Sequence, residues 1–228
     1  MKLKSEGKCK FCNKTFSATA MSRHLQSCSE RKKNQDKEEK KWKIFLLRAQ
    51  AGPFFVYFEV KGVMTLKDVD AFLRDLWLEC CGHLSAFTIN NTQYELDTGG
   101  VDSMWTGMFG RAHPTKSMNT KLFSVLFPGL KFSHEYDFGT TTELDMMCIS
   151  ERQGSLERIQ ILTRNNLPNF VCTSCGKPAK KVCTQCLWEG TGFFCEKCAK
   201  KHKCGEDMLL PVVNSPRMGV CGYTGDAY

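Results

Sequence analysis

At 228 residues, with 32 Lys/Arg against 24 Asp/Glu and a formal net charge of +8, the chain has room for one medium domain plus small satellites. It contains no run of about eighteen apolar residues, so no membrane-spanning helix is expected. Fourteen cysteines would fit a secreted disulfide framework, but most stand in CxxC pairs with His nearby, and the opening MKLKSEGKCK lacks an apolar core; a reducing, cytoplasmic setting with metal-bound thiolates is expected instead.

The charge is concentrated at the start. Residues 1–43 hold 13 Lys/Arg and 5 Asp/Glu, whereas the remainder holds 19 of each. A local basic arm suits a polyanion, most often nucleic acid; the plain alternative is a solvated face. Within it, Cys9, Cys12, His24 and Cys28 give C-x2-C-x11-H-x3-C, within one residue of the C2H2 finger spacing and ending in Cys. Phe16 and Met21 fall where such fingers carry apolar residues, and Ser17 is placed to cap the helix bearing His24 and Cys28. Residues 1–30 therefore read as a C2HC zinc finger. Its base-reading positions would be Ser17, Ala20 and Arg23, of which only Arg23 offers a bidentate contact to guanine. One finger spans only about three base pairs, so backbone contact by Lys8, Lys10, Lys14, Arg23, Arg31, Lys32 and Lys33 is the expectation, with protein docking as its rival.

Residues 31–41, RKKNQDKEEKK, are charged throughout and read as a linker or an exposed helix without a core face. Residues 42–164 carry the long apolar pattern. Trp42 to Gln50 and Phe54 to Val60 predict a hairpin turned at Ala51-Gly52-Pro53. Thr65 reads as an N-cap, followed by Leu66, Val69, Phe72, Leu73, Leu76, Trp77 and Cys80 at helical spacing, with Gly82 ending the helix. Cys80 and Cys81 read as core thiols at its end. Leu84 to Ile89 and Thr92 to Leu96 predict two strands around Asn90-Asn91, and 97–114 an irregular stretch. Lys121 to Phe127 predicts a helical turn stopped by Pro128-Gly129. Lys131 to Phe138 and Thr141 to Ile149 predict a second hairpin, and Arg158 to Thr163 a last strand. The sum is an α+β fold: a mostly antiparallel sheet with one main covering helix, flanked by two small zinc-stabilised modules.

Residues 165–228 form a Cys-rich module. Cys172/Cys175, Cys183/Cys186 and Cys195/Cys198 are CxxC pairs that supply six ligands, and His202, Cys204 and Cys221 compete for two more. The spacing resembles the cross-brace MYND, RING and B-box families. That resemblance implies one zinc on Cys172, Cys175, Cys195 and Cys198 and another on Cys183, Cys186, His202 and Cys204. Unlike the MYND pattern, the His202-Lys203-Cys204 step is tight, which leaves Cys221 as a substitute; a single zinc ribbon with spare thiols is the alternative. With the finger, about three Zn²⁺ are expected, all in closed structural sites. Leu187, Trp188, Phe193 and Phe194 read as the mini-core of this module, and the tail LPVVNSPRMGVCGYTG as a wrap over it.

Ile44 to Glu151 resembles the Ri-plasmid open-reading-frame-three-like family, met also as a passenger gene of an insertion element and labelled there as resolvase-like. The matching pieces are the opening hairpin, MTLKDVDAFLRDLWLEC, HLSAFTINNTQYEL and KFSHEYDFG. Tyr136, Asp137, Phe138 and Gly139 keep the family turn, whereas Thr140, Thr141 and Thr142 depart from it. The resemblance implies a compact α+β fold, a link to mobile DNA and no assigned reaction. Read physically, YDFG is a structural turn, with Asp137 accepting turn N–H groups and Gly139 free to take φ > 0. The function expected is a zinc-dependent, non-enzymatic binding protein associated with nucleic acid. The rivals are a protein–protein adaptor and a hydrolase or nuclease using His134 or Asp137, with His83, Asp97, Asp102 or His113 as helpers. No small-molecule substrate is evident.

Overall fold

The computed structural model of the chain describes residues 3–96 and 114–225. Nearly all of the expected irregular stretch, with Asp97, Asp102 and His113, lies outside the described residues. The chain begins with a small hairpin, β1 (Glu6–Lys8) and β2 (Thr15–Ser17), then α1 (Ala18–Ser27) and α2 (Ser29–Gln35). The centre comprises β3 (Trp42–Ala51), β4 (Phe54–Lys61), α3 (Leu66–Leu73), β5 (Ser85–Ile89), β6 (Thr92–Glu95), β7 (Thr115–Ser117), β8 (Lys131–Tyr136), β9 (Thr142–Gly154) and β10 (Gln160–Arg164). Beyond it lie β11 (Lys181–Cys183), β12 (Phe193–Phe194), α4 (Glu196–Ala199) and β13 (Leu209–Pro211).

Eight strands join in the order β10-β4-β3-β9-β8-β5-β6-β7. Only the β6–β7 pair is parallel; the other pairs are antiparallel. The fold is α+β, with one main helix on the sheet. Leu66, Val69, Leu73, Trp77 and Leu78 are all buried, and each such side chain contributes roughly 1.5–3 kcal/mol before its ordering entropy. The helix starts on a capping box: the Thr65 N–H donates to Asp68 Oδ2 at 2.7 Å, and the Asp68 N–H to Thr65 Oγ1 at 3.3 Å. It does not run as an α-helix to Cys80. From Arg74 to Leu78 it widens into a π-helical turn, which carries both Trp77 and Leu78 inward.

Strand β4 is buried along both faces, which is why FFVYF reads as an unbroken apolar run rather than an alternation, with the buried Glu59 following it. Phe54, Val56, Phe58 and Val60 pack in the main core with α3. Phe55 and Tyr57 point the other way, where Leu46 and Leu162 join them under Cys9, Met21, Leu25 and Cys28 of the N-terminal module. The finger is thus not an independent bead. Its own two-stranded sheet is tied to the chain at the β10 edge: Gly7 bridges Asn165, the Asn166 N–H donates to Glu6 O at 2.8 Å, and the Lys10 N–H to Leu162 O at 2.9 Å. Tyr57 Oη donates to Ala18 O at 2.7 Å. Helix α2 covers most of the first half of the expected linker, and it does have a core-facing residue, Arg31.

The C-terminal module is also joined to the centre. Phe170 stacks on Phe193 at 4.6 Å and meets Phe54 at 6.3 Å between ring centroids. The tail does more than wrap this module. Ser215 Oγ donates to Trp77 O at 2.6 Å, satisfying a carbonyl that the helix end leaves open, and Asn214 and Asn165 exchange amide hydrogen bonds at 2.7 Å.

Candidate metal centres and the basic face

Three of the four Cys/His groups in the described residues are built on tight turns. In the first, Cys9 and Cys12 flank a knuckle in which the Asn13 N–H returns to Cys9 O and the Cys9 N–H to Lys14 O, both at 2.9 Å. The Cys172 knuckle repeats the pattern, with Gly176 N–H to Cys172 O at 2.8 Å and Cys172 N–H to Lys177 O at 2.7 Å. Both turns need a left-handed residue directly after the second Cys. Asn13 (φ 61°) and Gly176 (φ 71°) supply it, and these are the residue types that tolerate it best. Ser17 caps α1, which delivers His24 from one turn short of its end and leads into Cys28.

The ligand atoms of Cys9, Cys12, His24 and Cys28 converge within 4.8 Å of one another. Those of Cys172, Cys175, Cys195 and Cys198 do likewise, as do those of Cys183, Cys186, His202 and Cys204. A tetrahedron with Zn–S of about 2.3 Å and Zn–N of about 2.0 Å has edges of roughly 3.5–3.8 Å. Cys175 and Cys195 sulfurs stand 3.6 Å apart, Cys186 and Cys204 3.8 Å, and Cys186 Sγ lies 3.5 Å from His202 Nε2. Burial opposes ionisation of Cys172, but N–H groups of Cys195, Ser174 and Cys175 outweigh it and bring the thiol down to about 6. Cys183 is likewise resisted by burial yet brought to about 7 by the Cys186 N–H and His202. Within the same group, burial and the sulfurs of Cys183 and Cys204 push Cys186 up to about 12. Donor set, spacing and turn geometry all fit Zn²⁺.

The fourth group, Cys80, Cys81, His83 and Cys221, escaped the reading of the sequence. Cys80 and Cys81 are not merely core thiols, and Cys221 displaces neither His202 nor Cys204. The only local signal was the ECCGH cluster; its fourth member lies 138 residues beyond His83.

The basic residues divide. Lys8, Lys10, Lys14, Arg23, Lys32 and Lys33 are exposed, with Lys33 paired to Glu30 at 2.8 Å. Arg31 is not a phosphate-contact residue: it is 5 % exposed and donates to Glu59 at 2.5 Å and to Leu25 O at 2.5 Å. Glu59, itself 1 % exposed, also takes two hydrogen bonds from Arg152 at 2.9 and 2.8 Å, and Arg152 reaches on to Glu38 at 2.7 Å. This network fastens α2 to the sheet.

The two residues considered to carry hydrolysis, His134 and Asp137, are enclosed, whereas His83 is half-buried. His134 is fully buried, with Nε2 2.7 Å from Asp70 Oδ1. Asp137 accepts the Gly139 and Thr140 N–H groups at 3.1 and 3.2 Å, and its other oxygen is held by Arg217. The left-handed residue of this turn is Asp137 itself (φ 65°), not Gly139. In the C-terminal module, Phe194 is buried and Leu187 and Phe193 are half-buried, whereas Trp188 is 70 % exposed and so lies outside any mini-core.

No protein-family profile matches the chain, and no curated protein matches it. Among solved structures, the chain is similar to a protein of unknown function, MM3350 from Methanosarcina mazei Go1, with a TM-score of 0.41 and 14 % identity over 53 % of this chain and 67 % of that one. No described helix is long and apolar enough to cross a membrane.

Proposed function

We propose that this chain is a non-enzymatic, zinc-stabilised binding protein whose N-terminal finger engages the phosphate backbone of nucleic acid. The supporting observation is the division of the finger's cations. One guanidinium, Arg31, is spent on docking to the sheet, while Lys8, Lys10, Lys14, Arg23 and Lys32 remain exposed on a module whose other side is fixed. The zinc groups have every ligand position filled by protein, which suits a scaffold and leaves no place for an activated water. The sequence resemblance to an insertion-element passenger family favours mobile DNA as the setting. Binding of the full chain to duplex and single-stranded DNA and RNA, measured against salt, tests the reading. Steep weakening with salt supports it, and affinity that is flat between low and moderate salt rejects it.

A second reading rests on Trp188. An indole left 70 % exposed on a zinc module is an anchor of the kind protein interfaces use. If the chain is an adaptor, Trp188→Ala abolishes partner capture while neutralising Lys8, Lys10 and Lys14 leaves it intact.

A further inference from the structure

We infer that Cys80, Cys81, His83 and Cys221 form a fourth Zn²⁺ site, one that clasps the C-terminal tail to the end of the main helix and exchanges its metal more readily than the other three. The donor atoms are already at coordination spacing. Cys81 Sγ is 3.0 Å from His83 Nε2 and 3.5 Å from Cys221 Sγ, His83 Nε2 is 3.3 Å from Cys221 Sγ, and Cys80 Sγ is 3.7 Å from Cys81 Sγ. The two sulfur–sulfur separations, 3.5 and 3.7 Å, lie within the roughly 3.5–3.8 Å edges of a zinc tetrahedron, and the two sulfur–nitrogen ones fall short of them by a few tenths of an ångström.

The backbone supports the same conclusion. Cys221 is held at φ 49°, in the left-handed region that a Cβ disfavours, between Gly219 (φ 80°) and Gly222 (φ 69°). A glycine at 221 would relieve that conformation, yet the position carries a thiol aimed at three other ligands. The neighbourhood is built as well. The tail is seated by Ser215 on Trp77 O and by Arg217, whose guanidinium donates to Thr140 O, Thr142 Oγ1 and Asp137 and lies 3.7 Å from Cys80 Sγ. Three thiolates and one imidazole around Zn²⁺ carry a net charge of −1, and Arg217 is the cation placed to balance it. Asp137 Oδ2 stands 3.5 Å from His83 Nε2, but its place beside Arg217 leaves it outside the ligand set.

This site differs from the other three in two respects. It has no CxxC knuckle, and two of its four ligands, Cys81 and Cys221, are exposed. A chelator reaches it without unfolding anything, whereas each of the other groups keeps a buried Cys at its base.

Metal content of the full chain, purified under reducing conditions with zinc, decides the matter. Wild type is expected to hold four zinc ions, with one released to a chromogenic chelator well before the rest. Cys221→Ser and, from the other side of the clasp, Cys81→Ser should each hold three and lose the fast phase. Hydrogen exchange of the wild-type tail, residues 213–222, should speed up when only the first ion has left, and this reading stands even where a variant folds poorly. Three ions in wild type, an unchanged count in both variants, or a Cys81–Cys221 cystine under reducing conditions overturns the inference.

Discussion

Arg217 and Asp137, eighty residues apart, form a buried ion pair that locks the C-terminal tail onto the YDFG turn. The guanidinium is fully enclosed and also serves Thr140 O at 2.6 Å and Thr142 Oγ1 at 3.1 Å. Its planar fork meets all three acceptors at once, which a lysine ammonium does not. Arg217→Ala should therefore strand a carboxylate that is only 7 % exposed and reduce unfolding free energy by about 3–5 kcal/mol in urea titration. Arg217→Lys should recover only part of that.

Glu59 governs the acid limit of finger docking. Burial alone would raise its carboxyl, but Arg152 and Arg31 outweigh burial and hold it below its ordinary value of 4.5. A depressed folded-state value means the stabilisation is complete above the unfolded value and is lost as pH falls through the folded one. Acid unfolding followed by circular dichroism should show wild type weakening below about pH 4.5. Glu59→Gln should be less stable at neutral pH and flatter across that window.

Gly7 permits the first strand to lie against β10. A Cβ there would stand 2.6 Å from Arg164 O and 2.8 Å from Thr163 Oγ1. Backbone must shift to admit it, so Gly7→Ala should cost about 1–3 kcal/mol. Faster amide exchange at Lys10 and Asn166 would mark the loosened edge.

Chelation should not leave the centre untouched. An independent finger would melt alone, but Met21 and Leu25 share a core with Leu46, Phe55, Tyr57 and Leu162. Stripping the finger's metal should therefore raise amide exchange in β4 and β10, and repletion with zinc should restore protection. Structural zinc contributes an apparent ~10–16 kcal/mol in finger peptides, ample to drive that coupling.

Neutralising charge separates docking from binding. Lys10→Ala with Arg23→Ala should lower the salt dependence of nucleic-acid affinity by about 0.9 per lost contact on duplex, with stability unchanged. Arg31→Ala should do the reverse, lowering stability and leaving the salt slope alone.

Much of the fold was legible along the chain. The β3–β4 hairpin, the Thr65 cap and the apolar stripe of α3 depend on neighbours within a few residues, and so does the grouping of ligands by CxxC knuckles. Those features are local: strand and helix periodicity, turn chemistry, and the pairing of thiols a turn apart. The folded chain, and nothing along it, brings Arg31 inward to Glu59, Arg217 to Asp137, and Cys221 to Cys80, Cys81 and His83. The reason is physical. These partners come from distant segments, and only the order of strands in the sheet and the seating of the tail on the helix end bring their charges and sulfurs within bonding distance.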